Sequence, residues 1–253
     1  MNGVFGIAGA GPARGGEAHM GAAHEPYLKA AGSDRLAPFY DLMVRLGMRE
    51  QRIRRRVVAR AALGPGQRLL DIGCGTGTLA ILARRHHPRA TIIGLDGDPT
   101  ILAIARRKAA RAGVAVQFDE GMAYALPYAD GSFDAVTSML MLHHLGHDQQ
   151  ARTLAEVRRV LRPGGRLVVA DLAPPHNRRM ALTHRVAGLL MRLHGGGTAH
   201  AAGHAVENLQ GELTALGWQR VSRTVHFMTL AGTLALVSAV RPPDRRIGSD
   251  REA

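Results

Sequence analysis

Leu70-Asp71-Ile72-Gly73-Cys74-Gly75-Thr76-Gly77-Thr78-Leu79-Ala80 is the densest signal in the chain. It begins in a short apolar run, Arg68 to Ile72, and ends in a helical pattern, Thr78 to Arg85. A strand, a glycine loop and a helix in that order bring the backbone close to a ligand and allow positive φ in a tight turn. Two ligand classes fit the spacing. Gly75-x-Gly77-x-x-Ala80 satisfies the dinucleotide pattern, with Asp96 at the end of the next strand. Asp71, two positions before the first glycine, suits another ligand. Its carboxylate repels a pyrophosphate and attracts an ammonium group, directly or through water.

Strand and helix signals alternate on both sides of this loop. Ala90 to Leu95 reads as a strand and Pro99 to Ala112 as a helix, with Pro99 in its first turn and Gly113 as its stop. Val114 to Phe118 and Phe133 to Ser138 follow as strands, Gln149 to Leu161 as a helix, and Gly165 to Leu172 as the fifth strand. The rhythm predicts a parallel sheet with helices on both faces. A helix near Val206 to Leu216 precedes two strand patterns, Trp218 to Met228 and Thr233 to Val240, which read as an antiparallel hairpin. Upstream, Pro26 to Leu63 is helical. Leu36, Tyr40, Met43, Val44 and Leu46 form an apolar stripe that Ile53, Val57, Val58 and Leu63 continue. The expected organisation is a mobile tail (1–24), one domain (25–241) and a polar tail (242–253). Within the domain lie an N-terminal helical cap (25–63) and a lid insertion (173–203) with a short apolar helix, Ala181 to Leu193.

The motifs resemble those of class I S-adenosylmethionine (AdoMet) methyltransferases. Asp71-x-Gly73-x-Gly75-x-Gly77 is similar to their first motif, and Gly94-Leu95-Asp96 to their acidic ribose loop. Leu126-Pro127-Tyr128-Ala129-Asp130-Gly131-Ser132-Phe133-Asp134 and Leu161-Arg162-Pro163-Gly164-Gly165-Arg166-Leu167 resemble the segments before their fourth and fifth strands. Leu36-Ala37-Pro38-Phe39-Tyr40-Asp41-Leu42-Met43 resembles the N-terminal segment of the UbiE-like (methyltransferase type 11) group, and Leu216-Gly217-Trp218 before a hairpin fits it too. Met139-Leu140-Met141-Leu142-His143-His144-Leu145 looks like the broad small-molecule group and departs from the quinone enzymes. The resemblance implies a Rossmann-like, doubly wound, seven-stranded and mostly parallel α/β sheet ending in an antiparallel hairpin.

It also implies AdoMet as cofactor and assigns positions. Asp71, Gly73, Cys74 (through its backbone) and Gly75 would line the methionine part, and Asp96 would hold the ribose hydroxyls. Gly97 stands where a bulky apolar adenine contact is usual. Gly121-Met122-Ala123 stands where Gly-Asp-Ala is common, so backbone groups of Met122 and Ala123 would meet the base. Ser138 and Met139 close the cofactor site, and Tyr40 either caps the methionine end, faces the acceptor or anchors the N-terminal helix. His143 and His144 follow the fourth strand, where an acceptor belongs, and an imidazole there suits a general base. Asp98 is placed to cap the helix that follows.

Composition narrows the classes. The 253 residues are 46% hydrophobic and 21% charged, a globular balance. There is no run of 18 apolar residues and no basic-then-apolar leader, so neither a membrane span nor a secretory signal is expected. Cys74 is the only cysteine, which fits a reducing cytoplasm and excludes an internal disulfide, a Cys-based zinc site and chemistry needing several thiols. His194, His200 and His204 suggest a metal set, but their Gly-rich context reads as a solvated loop, so no metal is expected. The net charge of +13 suits an anionic partner, and Arg52-Ile53-Arg54-Arg55-Arg56 reads as a solvated helix face or a transient contact with anionic lipid. Ten aromatics offer few stacking platforms for bases, against a nucleic-acid partner. The expected activity is in-line methyl transfer to a small aromatic or lipophilic acceptor. An RNA- or protein-directed methyltransferase and an AdoMet-binding module without catalysis remain as alternatives. Oligomeric state has no signature in the sequence.

Overall fold

A computed structural model describes residues 50–173, 205–229 and 232–243. Helix α1 (Glu50–Ala61) leads into β1 (Arg68–Ile72), α2 (Thr78–His86), β2 (Thr91–Asp96), α3 (Pro99–Arg111), β3 (Gln117–Glu120) and β4 (Phe133–Met139). A 3-10 turn (Leu142–His144), α4 (His147–Val160), β5 (Leu161–Ala173), α5 (Ala205–Ala215), β6 (Gln219–Thr229) and β7 (Gly232–Val240) complete it. The strands form one seven-stranded sheet in the order β3-β2-β1-β4-β5-β7-β6. β1 through β5 run parallel, and β7 lies antiparallel between β5 and β6.

The sheet is doubly wound because its parallel strands carry apolar residues on both faces. Leu70, Ile72, Ile93, Leu95, Val136, Leu167 and Val169 pack with Leu154 and Val157 of α4 and Leu209 and Leu213 of α5. Their neighbours Leu69, Ile92, Ala135, Val168 and Ala170 point the other way. They pack with Ile53 and Val57 of α1, Leu79 of α2, and Leu102 and Ala105 of α3. The period of two along each strand thus assigns each side chain to one of two cores.

Most boundaries lie within one or two residues of the sequence reading, and the starts of β3, β5 and α4 differ by two to four. β3 begins at Gln117, not Val114, because pairing with β2 starts at Ile93↔Gln117. Val114 and Val116 are half-buried connector residues packed on the α1–α3 side. β5 starts four residues early, since Leu161 pairs with Phe133 before a register shift between Phe133 and Ala135. α4 starts at His147, after Gly146. The Arg-rich run also departs from a fully solvated face. Arg52, Arg55 and Arg56 are exposed, but Arg54 is 7% exposed. Arg54 lies three, four and seven residues before the buried Val57, Val58 and Ala61, so it shares their helix face. Tyr40, the apolar stripe before residue 50, the 1–24 tail, the lid beyond Ala173 and the three lid histidines lie outside the described residues.

Candidate cofactor and acceptor site

The chain leaves β1 outward through β2 and β3, then returns to β4 on the other side of β1. The carboxyl ends of β1 and β4 therefore flank a topological switch point, where doubly wound sheets open a ligand crevice. Five of the expected site residues sit near these ends: Asp71 near the end of β1, Gly73, Cys74 and Gly75 just after it, and Asp96 at the end of β2. Ser138 and Met139 end β4.

The loop after β1 turns tightly, with φ of +63°, +52° and +73° at Gly73, Gly75 and Gly77. Gly77 has a packing reason as well: a Cβ there would stand 2.7 Å from Phe118 Cζ and 3.0 Å from Ala105 Cβ. Gly77→Ala is expected to cost about 2–4 kcal/mol from left-handed strain and overpacking together, measured as a lowered urea midpoint. At Gly75 nothing lies within 4 Å of the added Cβ, so the backbone there faces open space. Cys74 donates its N–H to Leu95 O at 3.0 Å. Its thiol is buried, and burial pushes its pKa up, so it stays protonated and unreactive.

Asp71 is the most perturbed acid. It is 1% exposed; Oδ1 accepts from Thr137 Oγ1 at 2.8 Å, and Oδ2 has no hydrogen-bond partner. Burial raises its pKa to about 7, against the Thr137 hydrogen bond and the nearby Arg54 guanidinium, which lower it. A buried acceptor without a partner is costly and is ready to take a donor. An ammonium group would satisfy Oδ2 and favour the charged carboxylate. Arg54 is the residue the sequence reading missed here. It brings a second, positive charge close to Asp71.

The raised pKa has a sign. Between about pH 4 and 7 the folded state retains a proton that the unfolded state has lost, so this group's contribution to stability falls as pH rises through that window. The cost of the buried charge above pH 7 is about 4 kcal/mol, to order of magnitude. His87 and His144, whose pKa values are lowered by burial, act in the opposite sense. The comparison with Asp71→Asn isolates the carboxylate. Urea unfolding without cofactor is expected to show a stability advantage for Asp71→Asn that grows from pH 5 to pH 8.

Asp96 is 8% exposed. Its Oδ2 accepts from Gly75 N at 2.8 Å and its Oδ1 from Asp98 N at 3.1 Å. A carboxylate can accept from two hydroxyl donors, which is the role expected of Asp96 toward a ribose. Asp98 caps α3, accepting from Thr100 N and Ile101 N, which frees Asp96 from that role. Gly97 is half-buried between them. Gly121 N donates to Asp96 O at 3.0 Å, which brings the next loop beside β2. In that loop Met122 is half-buried and its carbonyl accepts from Ala125 N, while Ala123 belongs to the core. Ser138 Oγ is buried without a partner. Met139 is half-buried beside it.

On the β4–β5 side His143 Nδ1 lies 2.6 Å from Asp171 Oδ1. Asp171 is fully buried near the end of β5. It also accepts from His143 N at 3.3 Å and Leu172 N at 2.7 Å. The carboxylate fixes the tautomer with the proton on Nδ1 and leaves Nε2 as the basic nitrogen. The His144 ring centroid is 3.9 Å from that of His143. Burial and the neighbouring His143 lower the His144 pKa, favouring its neutral form. Asp171 was hidden in the sequence as one polar residue in an apolar strand. Among the described residues no group of three His, Cys, Asp or Glu is placed to hold a metal.

A glycine loop at the switch point, a buried acid before it with one open acceptor oxygen and a second acid at the end of β2 fit a class I AdoMet-dependent methyltransferase. Residues 69–165 match the methyltransferase-domain family. The demethylmenaquinone methyltransferase of Thermus thermophilus is 44% identical over 153 residues, 60% of this chain and 69% of that protein. The demethylmenaquinone methyltransferase of Deinococcus radiodurans is 42% identical over 142 residues, 55% of this chain and 58% of that protein. An O-methyltransferase family protein from Burkholderia thailandensis shares the fold at a TM-score of 0.66 and 21% identity, over 85% of this chain and 62% of that one. The chain belongs to the class I AdoMet-dependent methyltransferases, in their UbiE-like group, and AdoMet is its cofactor.

Proposed function

We propose that this enzyme methylates a small lipophilic aromatic acceptor bearing a ring hydroxyl, with His143 as general base. The observation that carries the reading is the pairing of two half-sites across the crevice. Two buried carboxylates, Asp71 and Asp96, stand on the β1–β2 side, and the His143–Asp171 pair stands on the β4–β5 side. The names of the two demethylmenaquinone methyltransferases support a quinone-like ring. AdoMet supplies an electrophilic methyl group on a built-in leaving group, so the chain's task is positioning and proton removal.

Asp71 takes the ammonium group and Asp96 the ribose hydroxyls, with Gly73, Cys74 and Gly75 lending backbone along the methionine part. Gly97, Met122 and Ala123 border the base, and Ser138 and Met139 close the floor. His143 Nε2 receives the ring-hydroxyl proton, while Asp171 holds the imidazole and stabilises its charged form. His144 packs on the His143 ring. Exposed Arg52, Arg55 and Arg56 favour transient contact with an anionic bilayer from the cytoplasmic side, where a lipophilic acceptor would reside.

Transfer of radiolabelled methyl from AdoMet to 1,4-naphthohydroquinone and its prenylated homologues tests the reading. Labelled ring product is the expected result. Label appearing only in added RNA or protein, or cofactor binding with no transfer to any of these acceptors, would overturn it.

A further inference from the structure

A second site lies at the other end of the sheet. A cleft of about 350 Å³ is lined by Arg60, Arg166 and Arg220, with Ser222 and Ser238 among its other residues. The three arginines come from three elements: the last turn of α1, β5 and β6. Arg166 and Gln219 both pair with Val240, and Arg166, the first β5 residue paired with β7, also pairs with Ala135 near the start of β4, which places the cleft on the amino-end side of the sheet. The cofactor crevice opens at the carboxyl ends of the strands, so the two sites are distinct. No acidic side chain lines the cleft among the described residues. The Ser222 and Ser238 hydroxyls lie 3.0 Å apart across β6 and β7, and the pair retains donor capacity toward the cleft.

Arg220 is built into the cleft at some cost. β6 runs three residues from Gln219 to Ser222 while β7 runs two from Val240 to Ser238, so β6 carries a bulge. Arg220 sits in that bulge at φ +50°, a left-handed conformation ordinarily given to glycine. Bulges re-aim side chains, and strained non-glycine positions gather at ligand clamps. Here the bulge brings a third arginine to the cleft, which no carboxylate lines among the described residues.

We infer that this cleft is an anion site that binds a phosphoryl group, gripped by the Arg60, Arg166 and Arg220 guanidiniums and the serine hydroxyls. Guanidiniums match phosphate oxygens with paired, charge-assisted hydrogen bonds. The group has two sources, a phosphorylated small molecule or a phospholipid headgroup. The inference is independent of methyl transfer and of the acceptor.

The test titrates the full chain with sodium pyrophosphate by calorimetry, and in parallel with phosphatidylcholine vesicles with and without phosphatidylglycerol. Arg220→Gly removes the charge and suits the left-handed backbone, so it separates binding from folding. Saturable binding to wild type is expected in at least one arm, weakened about tenfold or more by Arg220→Gly and by Arg166→Gln. The melting temperature of Arg220→Gly stays equal or rises by about 2–4 °C. Arg107→Gln, an exposed charge on α3, leaves binding unchanged. Pyrophosphate binding assigns a soluble ligand; binding only to phosphatidylglycerol vesicles assigns a headgroup. No saturable binding in either arm overturns the inference, as does an equal loss in Arg107→Gln, which would reflect net charge alone.

Discussion

His143→Gln is expected to lower kcat about 10²–10⁴-fold, the range for loss of a positioned general base, with AdoMet affinity unchanged. A carboxylate 2.6 Å from Nδ1 orients the ring, and that carboxylate is itself held by two backbone N–H groups. Asp171→Asn should reproduce most of the loss without unfolding the site. Its amide can turn an N–H toward Nδ1 and so favour the tautomer that lacks a basic Nε2. A purely structural role would raise the acceptor KM or lower stability instead. One further readout separates them: the defect should shrink as ring hydroxyls become more acidic, because such acceptors ionise with less help. Equal defects across a graded set of naphthols would remove His143 from the proton-transfer step.

Asp96→Ala is expected to weaken AdoMet binding by about 10²–10³-fold. That corresponds to losing two hydrogen bonds to a charged acceptor at roughly 1.5–3 kcal/mol each, part of which water restores. The substitution also leaves Gly75 N and Asp98 N without their acceptor, so it should cost about 1–3 kcal/mol of stability as well. Asp96→Asn can retain some of these contacts through its amide oxygen, and is expected to fall between Ala and wild type in affinity. Calorimetry and urea unfolding on the same preparations separate the two effects. Wild-type affinity in Asp96→Ala would place the ribose elsewhere.

Where local pattern and tertiary packing agreed, the chain was readable. β1 lies at Arg68–Ile72 because a buried parallel strand is a continuous apolar run. Asp98 caps α3 because a carboxylate just before Pro99 has little else to do there. Asp71 stood out because a carboxylate two positions before the glycines repels a phosphate and suits an ammonium group. Arg54 and Asp171 were not read, and for one cause. Each is a single charged residue whose burial depends on a partner distant in sequence: Arg54 lies near Asp71, and Asp171 accepts from His143. Helical spacing did place Arg54 on the apolar face, and that signal was overshadowed by the exposed arginines around it. Asp171 offers no such periodic clue, since only the fold brings β5 beside the turn after β4. β3 was misplaced because Val114 and Val116 look like a strand but pair with nothing until the chain reaches β2.

A crystal structure with S-adenosylhomocysteine tests the central claim most directly. The amino group is expected on Asp71 Oδ2, directly or through one water, both ribose hydroxyls on the Asp96 carboxylate, and the sulfur facing the His143 side of the crevice. A ligand whose amino group lies away from Asp71, or whose ribose is held by groups other than Asp96, would contradict it.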